Sequence, residues 1–166
     1  MAIFSIAKNT FKETSRNKIS LVLLGLSIAA ILLTKAVAFI SPETEQKMVI
    51  DFGIFAITFF GVIMAIFNGS NLIFKELDKR TIYTVISKPI DRYQFILGKF
   101  FGLFFSICGS LSFLVVTFSI YCILIQIPLT LSFFWAILFI FLQICIIISV
   151  SMVFSLVSAP LLSATF

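Results

Sequence analysis

The chain has 166 residues, 61% of them hydrophobic and 11% charged, with 12 Lys and Arg against 7 Asp and Glu and no His. An ordinary soluble domain carries about a quarter charged residues, so a water-soluble globular protein is excluded. The last charged side chain is Lys99, and the 67 residues that follow contain no Asp, Glu, Lys, Arg or His; such a stretch has to face lipid or other helices.

Residues 1–18 place Ile3, Ile6, Ala7, Thr10, Phe11 and Thr14 at helical spacing, with Lys8, Asn9, Lys12, Arg16 and Lys18 mostly elsewhere around the wheel. This predicts a basic amphipathic helix at the membrane surface, and its cations suit anionic lipid. Four apolar windows then reach the roughly 20 residues a spanning helix needs: 19–40, 52–74, 100–125 and 132–157. The runs are continuous rather than alternating in polarity, so helices are favoured over barrel strands. The predicted fold is an all-α integral membrane protein with four transmembrane helices in one domain, 1–166. Ser41-Pro42-Glu43 has the order of a helix start, which suggests a short helix leading into the second span. Pro128 is expected to stop the third span and make the last two helices a tight hairpin.

Charge sets the expected orientation. Residues 1–18 and 75–99 are each net +3, whereas Glu43, Glu45 and Asp51 outweigh Lys47 between the first two spans. Lys and Arg enrichment marks the cytoplasmic side, which puts the N-terminus, the 75–99 loop and the C-terminus inside, in the plasma (inner) membrane. Lys35, near the outer end of the first span, is expected to snorkel rather than serve an ion pathway. A cleaved signal peptide is the competing reading of this region, through Ala36-Val37-Ala38; the 18-residue polar leader and the long apolar run oppose it. Asn68, Ser70 and Asn71 close the second span. They are read first as its interfacial end, with helix–helix bonding and pathway lining as alternatives. Gly98-x-x-x-Gly102 permits close helix approach. Cys108, Cys122 and Cys145 lie in apolar runs and read as packing residues rather than a disulfide or metal framework.

The 75–99 segment is far longer than the two to eight residues that usually join helices in bundles. Leu77, Thr81, Thr84 and Val85 give a helix face, Pro89 ends it, and Asp91 with Gln94 resembles a cap opening the next helix. A surface helix of mixed charge with an apolar side is shaped to dock in a cytosolic partner's groove.

In order along the chain, Asp51-Phe-Gly-Ile-Phe-Ala-Ile-Thr-Phe-Phe-Gly61, Leu72-Ile-Phe-Lys-Glu76, Arg80-Thr-Ile-Tyr-Thr-Val-Ile-Ser-Lys-Pro-Ile90 and Gln94-Phe-Ile-Leu-Gly-Lys99 resemble permease subunits of ATP-binding-cassette transporters of the type-2 exporter class. The closest likeness is to the branch linked to multicopper-enzyme maturation, and Ile6-Ala-Lys-Asn-Thr-Phe-Lys-Glu13 and Ala159-Pro-Leu-Leu-Ser163 are similar to that branch too. The resemblance implies that residues 75–90 form a coupling helix seated on a separate cytosolic nucleotide-binding ATPase, with Lys75, Glu76, Arg80, Thr81, Ser87, Lys88 and Pro89 matching the family pattern. It further implies a second permease subunit, in a homodimer or heterodimer, and ATP bound on the partner rather than on this chain. Family members usually have six spans, so a C-terminally truncated member is expected.

No G-x-x-x-x-G-K-[ST] phosphate loop is present, since Gly98-Lys99 is followed by Phe100, so ATP hydrolysis is expected on another subunit. No metal, catalytic residue or nucleic-acid partner is expected. Two other classes stay open: a small non-transporting membrane protein, such as an immunity or assembly factor, and an integral membrane enzyme. The enzyme ranks last, because no intramembrane His, Asp or Glu is available as acid or base.

Overall fold

The computed structural model describes the backbone of residues 2–38, 45–78, 92–128 and 130–163, and the side chains of 4–36, 46–70, 93–128 and 130–155. The described residues form five helices: α1 (Ala2–Ser15), α2 (Lys18–Ala38), α3 (Glu45–Asp78), α4 (Arg92–Leu124) and α5 (Leu131–Ser163). Each of the last four contains a stretch long and apolar enough to cross a bilayer: Lys18–Ala36, Gln46–Ser70, Tyr93–Leu124 and Leu131–Ser155. The protein is an all-α integral membrane protein. Helices suit lipid because each satisfies its own backbone N–H and C=O groups where no water is available.

Helix limits depart from the hydropathy limits at the polar ends. α3 starts seven residues before the window expected at 52, and α4 eight before the one expected at 100. Helical hydrogen bonding continues into interfacial water, whereas an apolar window stops at the first charged residues. Residues 75–78 are the end of α3 and 92–99 the first two turns of α4, so the segment between the two helices shrinks to 79–91. The surface helix expected there, with Arg80, Thr81, Ser87, Lys88, Pro89 and the cap residue Asp91, lies outside the described residues, as do Ser41, Pro42 and Glu43.

α4 ends at Leu124, ahead of Pro128, by a different device from the one expected. Gln126 adopts a positive φ of 64°. Its N–H donates to the Ile123 carbonyl at 3.1 Å, and the Ile127 N–H donates to the Cys122 carbonyl at 3.0 Å. This is a Schellman cap with Gln126 in the left-handed position. The accompanying apolar contact is supplied by Ile127 and Cys122, both buried. Pro128 follows after the turn is already made.

α3 is the central helix, packing against α2, α4 and α5. Gly53, Ile57, Gly61, Ala65 and Gly69, four residues apart, are all buried. An i+4 row turns by about 40° per step around a helix of 3.6 residues per turn, so the row winds from one neighbour to the next. A Cβ on Gly53 would strike the Phe118 ring of α4. One on Gly61 would stand 2.8 Å from Leu111 Cδ2 of α4 and 3.3 Å from Ile144 Cδ1 of α5, and one on Gly69 would strike Ser151 of α5. Small residues let backbones approach where lipid tails are as apolar as Leu and supply no hydrophobic drive between helices. Phe118 fills the gap at Gly53 and meets the Phe133 ring of α5 at 5.8 Å between centroids, which joins three helices at that end.

The left-handed turn gives a first prediction. Gln126→Gly raises stability by about 0.5–1 kcal/mol by removing the Cβ conflict of the left-handed region, and Gln126→Val lowers it by about 1 kcal/mol or more. Thermal unfolding in detergent measures both; equal effects of the two variants would contradict the cap.

Candidate functional site

One end of the bundle gathers α1, the start of α2, the end of α3 and the start of α4. α1 packs chiefly on α4. Thr10 and Thr14 are buried, Ile6 and Ala7 half-buried, and Lys8, Asn9, Lys12, Arg16 and Lys18 exposed, which is the face the amphipathic spacing predicts except for Phe11, 43% exposed. The contact depends on Gly102, where an added Cβ would stand 2.6 Å from both the Ala7 carbonyl oxygen and Thr10 Cβ. Gly102 of the Gly98-x-x-x-Gly102 pair therefore admits α1 rather than another crossing helix. Lys99, expected in a solvated loop, is 6% exposed, with Nζ 4.7 Å from the Phe95 ring centroid. That distance suits a cation–π contact. Lys35 is exposed near the end of α2, as snorkelling requires.

Asn17, between α1 and α2, does two jobs with one amide. Its Oδ1 accepts the Ile19 N–H at 3.2 Å, capping α2, while its Nδ2 donates to Asn68 Oδ1 of α3 at 3.3 Å. Asn68 is 5% exposed. Its Nδ2 lies 2.8 Å from Ser20 Oγ, and Ser20 Oγ lies 3.0 Å from its Oδ1. Asn68 is thus a helix–helix bond rather than the interfacial marker first expected. Ser70 donates to the Phe67 carbonyl of its own helix at 3.2 Å, and its own carbonyl accepts from Ser155 Oγ of α5 at 3.2 Å. The Asn71 side chain lies outside the described residues. With Gly69 against Ser151, these bonds tie α3 to the α1–α2 corner on one side and to α5 on the other.

Of the expected coupling residues, Lys75 and Glu76 lie in the closing turns of α3, one to two turns beyond Asn68 and Ser70; their side chains lie outside the described residues, as do Arg80, Thr81, Ser87, Lys88 and Pro89. The two helices that flank the 79–91 segment are therefore the central helix and the helix that carries α1. Beside this end, α3 and α5 enclose an open groove of about 410 Å³ lined by Ile66, Ser70, Ile147, Val150, Ser151 and Phe154.

A family model described as "ABC-2 family transporter protein" matches residues 4–165. The chain belongs to that family. No curated protein and no solved structure matches it. Membership in the ABC-2 family makes the chain a membrane component of an ABC transporter, a permease, and members of this family typically work with an ATPase subunit. The ABC-2 match spans α1 and all four crossing helices, so the polar corner and the row of small residues both belong to the family domain.

Two features of the site escaped the sequence reading. The Gly61-x-x-x-Ala65-x-x-x-Gly69 series is a small-residue pattern readable from spacing alone. The pairing of Asn68 with Ser20, 48 residues away, had no local signal.

The polar corner is testable by a double-mutant cycle on Ser20→Ala and Asn68→Ala. Each single change costs about 0.5–2 kcal/mol of unfolding free energy, and the pair couples by about 0.6 kcal/mol, the average for such bonds between membrane helices. Strict additivity would mean the bond carries no energy.

Proposed function

We propose that the chain is the membrane-spanning permease subunit of an ABC exporter driven by ATP hydrolysed on a separate cytosolic subunit, and that residues 75–90 are where that subunit grips it. The proposal includes the orientation in which the N-terminus and the 79–91 segment face the cytoplasm, from the positive charge of both flanks. Lys75, Glu76, Arg80, Thr81, Ser87, Lys88 and Pro89 are the contact residues, and a second permease subunit completes the pathway. Among exporters, the series Lys75-Glu76, Arg80-Thr-Ile-Tyr83 and Ser87-Lys-Pro-Ile90 favours the branch linked to multicopper-enzyme maturation.

One observation carries the mechanical part of this reading: the segment is anchored directly by α3 and α4, and α3 touches every other crossing helix. A displacement of residues 79–91 therefore enters the middle of the bundle without crossing a weaker contact. Close-packed helices transmit such a displacement as rigid bodies, because their interfaces rearrange between discrete packings rather than deforming smoothly. On the other side of α4, the tight seat of α1 at Gly102 makes α1 move with that helix. ATP-driven closure of the partner would displace α3 together with α2 and α5, the helices packed on it most extensively, relative to α4, opening a path shared with the second subunit to alternate sides.

Replacing Glu76 by Ala, or placing Pro at Thr81, is expected to abolish co-purification of the tagged chain with its ATPase and to lower transport-coupled ATP hydrolysis at least tenfold. Membrane insertion and thermal stability should stay unchanged. Pull-down from detergent-solubilised membranes with mass spectrometry, followed by ATPase assay in vesicles, measures these; normal capture and full coupling in both variants would refute the assignment.

A further inference from the structure

A surface helix of the ordinary amphipathic kind lays its apolar face in the boundary between headgroups and acyl chains. In this protein that face is already taken. Ala7 and Thr10 close on Gly102, and Thr14 is buried with them where α1 packs on α4, so whatever α1 offers to lipid has to come from the rest of its circumference.

The rest is not uniform. At about 100° per residue, Phe4, Lys8, Phe11, Lys12 and Ser15 follow at i, i+4, i+7, i+8 and i+11 and make one stripe, all of it exposed. Phe4 is 78% exposed, and Phe11, which the amphipathic spacing put on the buried face, stands out of it in line with Phe4. Going around the helix from the seat on α4, the two rings come first and the two lysines next. On the other edge lie Asn9, Glu13 and Arg16, exposed and wholly polar. The order from ring to ammonium to polar edge is the order of a bilayer surface from acyl chain to phosphate to water.

The level at which α1 is held agrees with this. Its seat at Gly102 comes three residues after Lys99, the last charged residue of the whole chain, so α1 touches α4 within one turn of the point where α4 loses its last charge. That transition marks the boundary between headgroups and hydrocarbon.

We infer that the stripe Phe4-Lys8-Phe11-Lys12 is a docking site for anionic phospholipid, with the two rings set among the upper acyl carbons and the Lys8 and Lys12 ammonium groups on lipid phosphates. Charge complementarity selects this occupant: residues 1–18 carry net +3, and a lysine beside an anionic leaflet is attracted to it as an arriving neutral groove would not be. The rings exclude free phosphate as the ligand, since it offers them no hydrocarbon. The inference goes beyond the coupling proposed above, which concerns residues 75–90, and stands whether or not an ATPase binds there.

The test uses the full chain alone in vesicles of phosphatidylcholine and phosphatidylglycerol, with Trp135→Phe so that one introduced tryptophan reports. Phe4→Trp and Phe11→Trp should be quenched by lipid brominated on its acyl chains, whereas Asn9→Trp on the polar edge should not. At Phe11→Trp, brominated phosphatidylglycerol should quench more than brominated phosphatidylcholine at equal mole fraction, by about threefold or more. Lys8→Gln with Lys12→Gln should abolish that preference, Lys8→Arg with Lys12→Arg should keep it, and excess inorganic phosphate should leave it unchanged. Absence of quenching at Phe4→Trp and Phe11→Trp, equal quenching at Asn9→Trp, no preference between the two lipids, or a preference that survives the loss of both lysines would each overturn the inference. So would a photoreactive benzoylphenylalanine at position 11 that, in native membranes, crosslinks to a polypeptide instead of lipid. The vesicles contain no ATPase, so failure here is separate from failure of the pull-down.

Discussion

Hydrocarbon offers a polar group no water to fall back on, and this structure is arranged around that constraint. Backbone groups are satisfied inside helices, and most span hydroxyls fold back on their own carbonyls. Some polar side chains that cannot do so are placed where another helix supplies the bond. Asn68 is the clearest case inside the bundle. Its amide reaches the hydroxyl of Ser20 and the amide of Asn17, so a group that would be costly alone becomes the joint between the first and second crossing helices. Lys99 follows the same logic, with a ring face beneath its ammonium.

With polar groups so managed, packing decides how the helices sit. Lipid competes on equal terms for every Leu and Phe, and the large apolar side chains of this protein accordingly point outward in numbers; Phe55, Phe105 and Phe139 are each about three-fifths exposed. What lipid cannot do is follow a backbone into the hollow above a glycine. The row from Gly53 to Gly69 uses that difference, and its slow rotation lets one helix contact α4 at one end and α5 at the other. Gly102 repeats the device for α1. The same close contacts suit α3 to carry a displacement arriving at its end, which is the mechanical basis of the proposed coupling to an ATPase.

Much of the fold is legible in the residues because lipid solvation writes strongly into sequence: four apolar runs and the buried face of α1 both follow from which atoms tolerate hydrocarbon. Helix ends were less legible. Charged residues end an apolar window without ending a helix, so α3 and α4 run further than their hydropathy, and Lys99 is buried although it looked solvated. The stop before Pro128 was misassigned, because a left-handed Gln126 has no compositional signature, unlike the glycine more usual there. Asn68 looked interfacial because its partner Ser20 is distant in sequence. The coupling residues depended on resemblance more than on physics: a mixed-charge surface segment has no pattern of its own, and only the order of its short motifs points to it.

The central claim is that α3 is the buried post of the bundle, clamped along one turning row. Cysteine scanning of α3 in lipid vesicles with a membrane-permeant, lipid-soluble thiol reagent tests it most directly. Ile57→Cys and Ala65→Cys, at positions 1% and 0% exposed, should stay unlabelled, whereas Phe55→Cys, Phe59→Cys and Ile66→Cys, at 62%, 49% and 47%, should label fully. Equal labelling at all five positions would place α3 at the edge of the bundle and contradict the account.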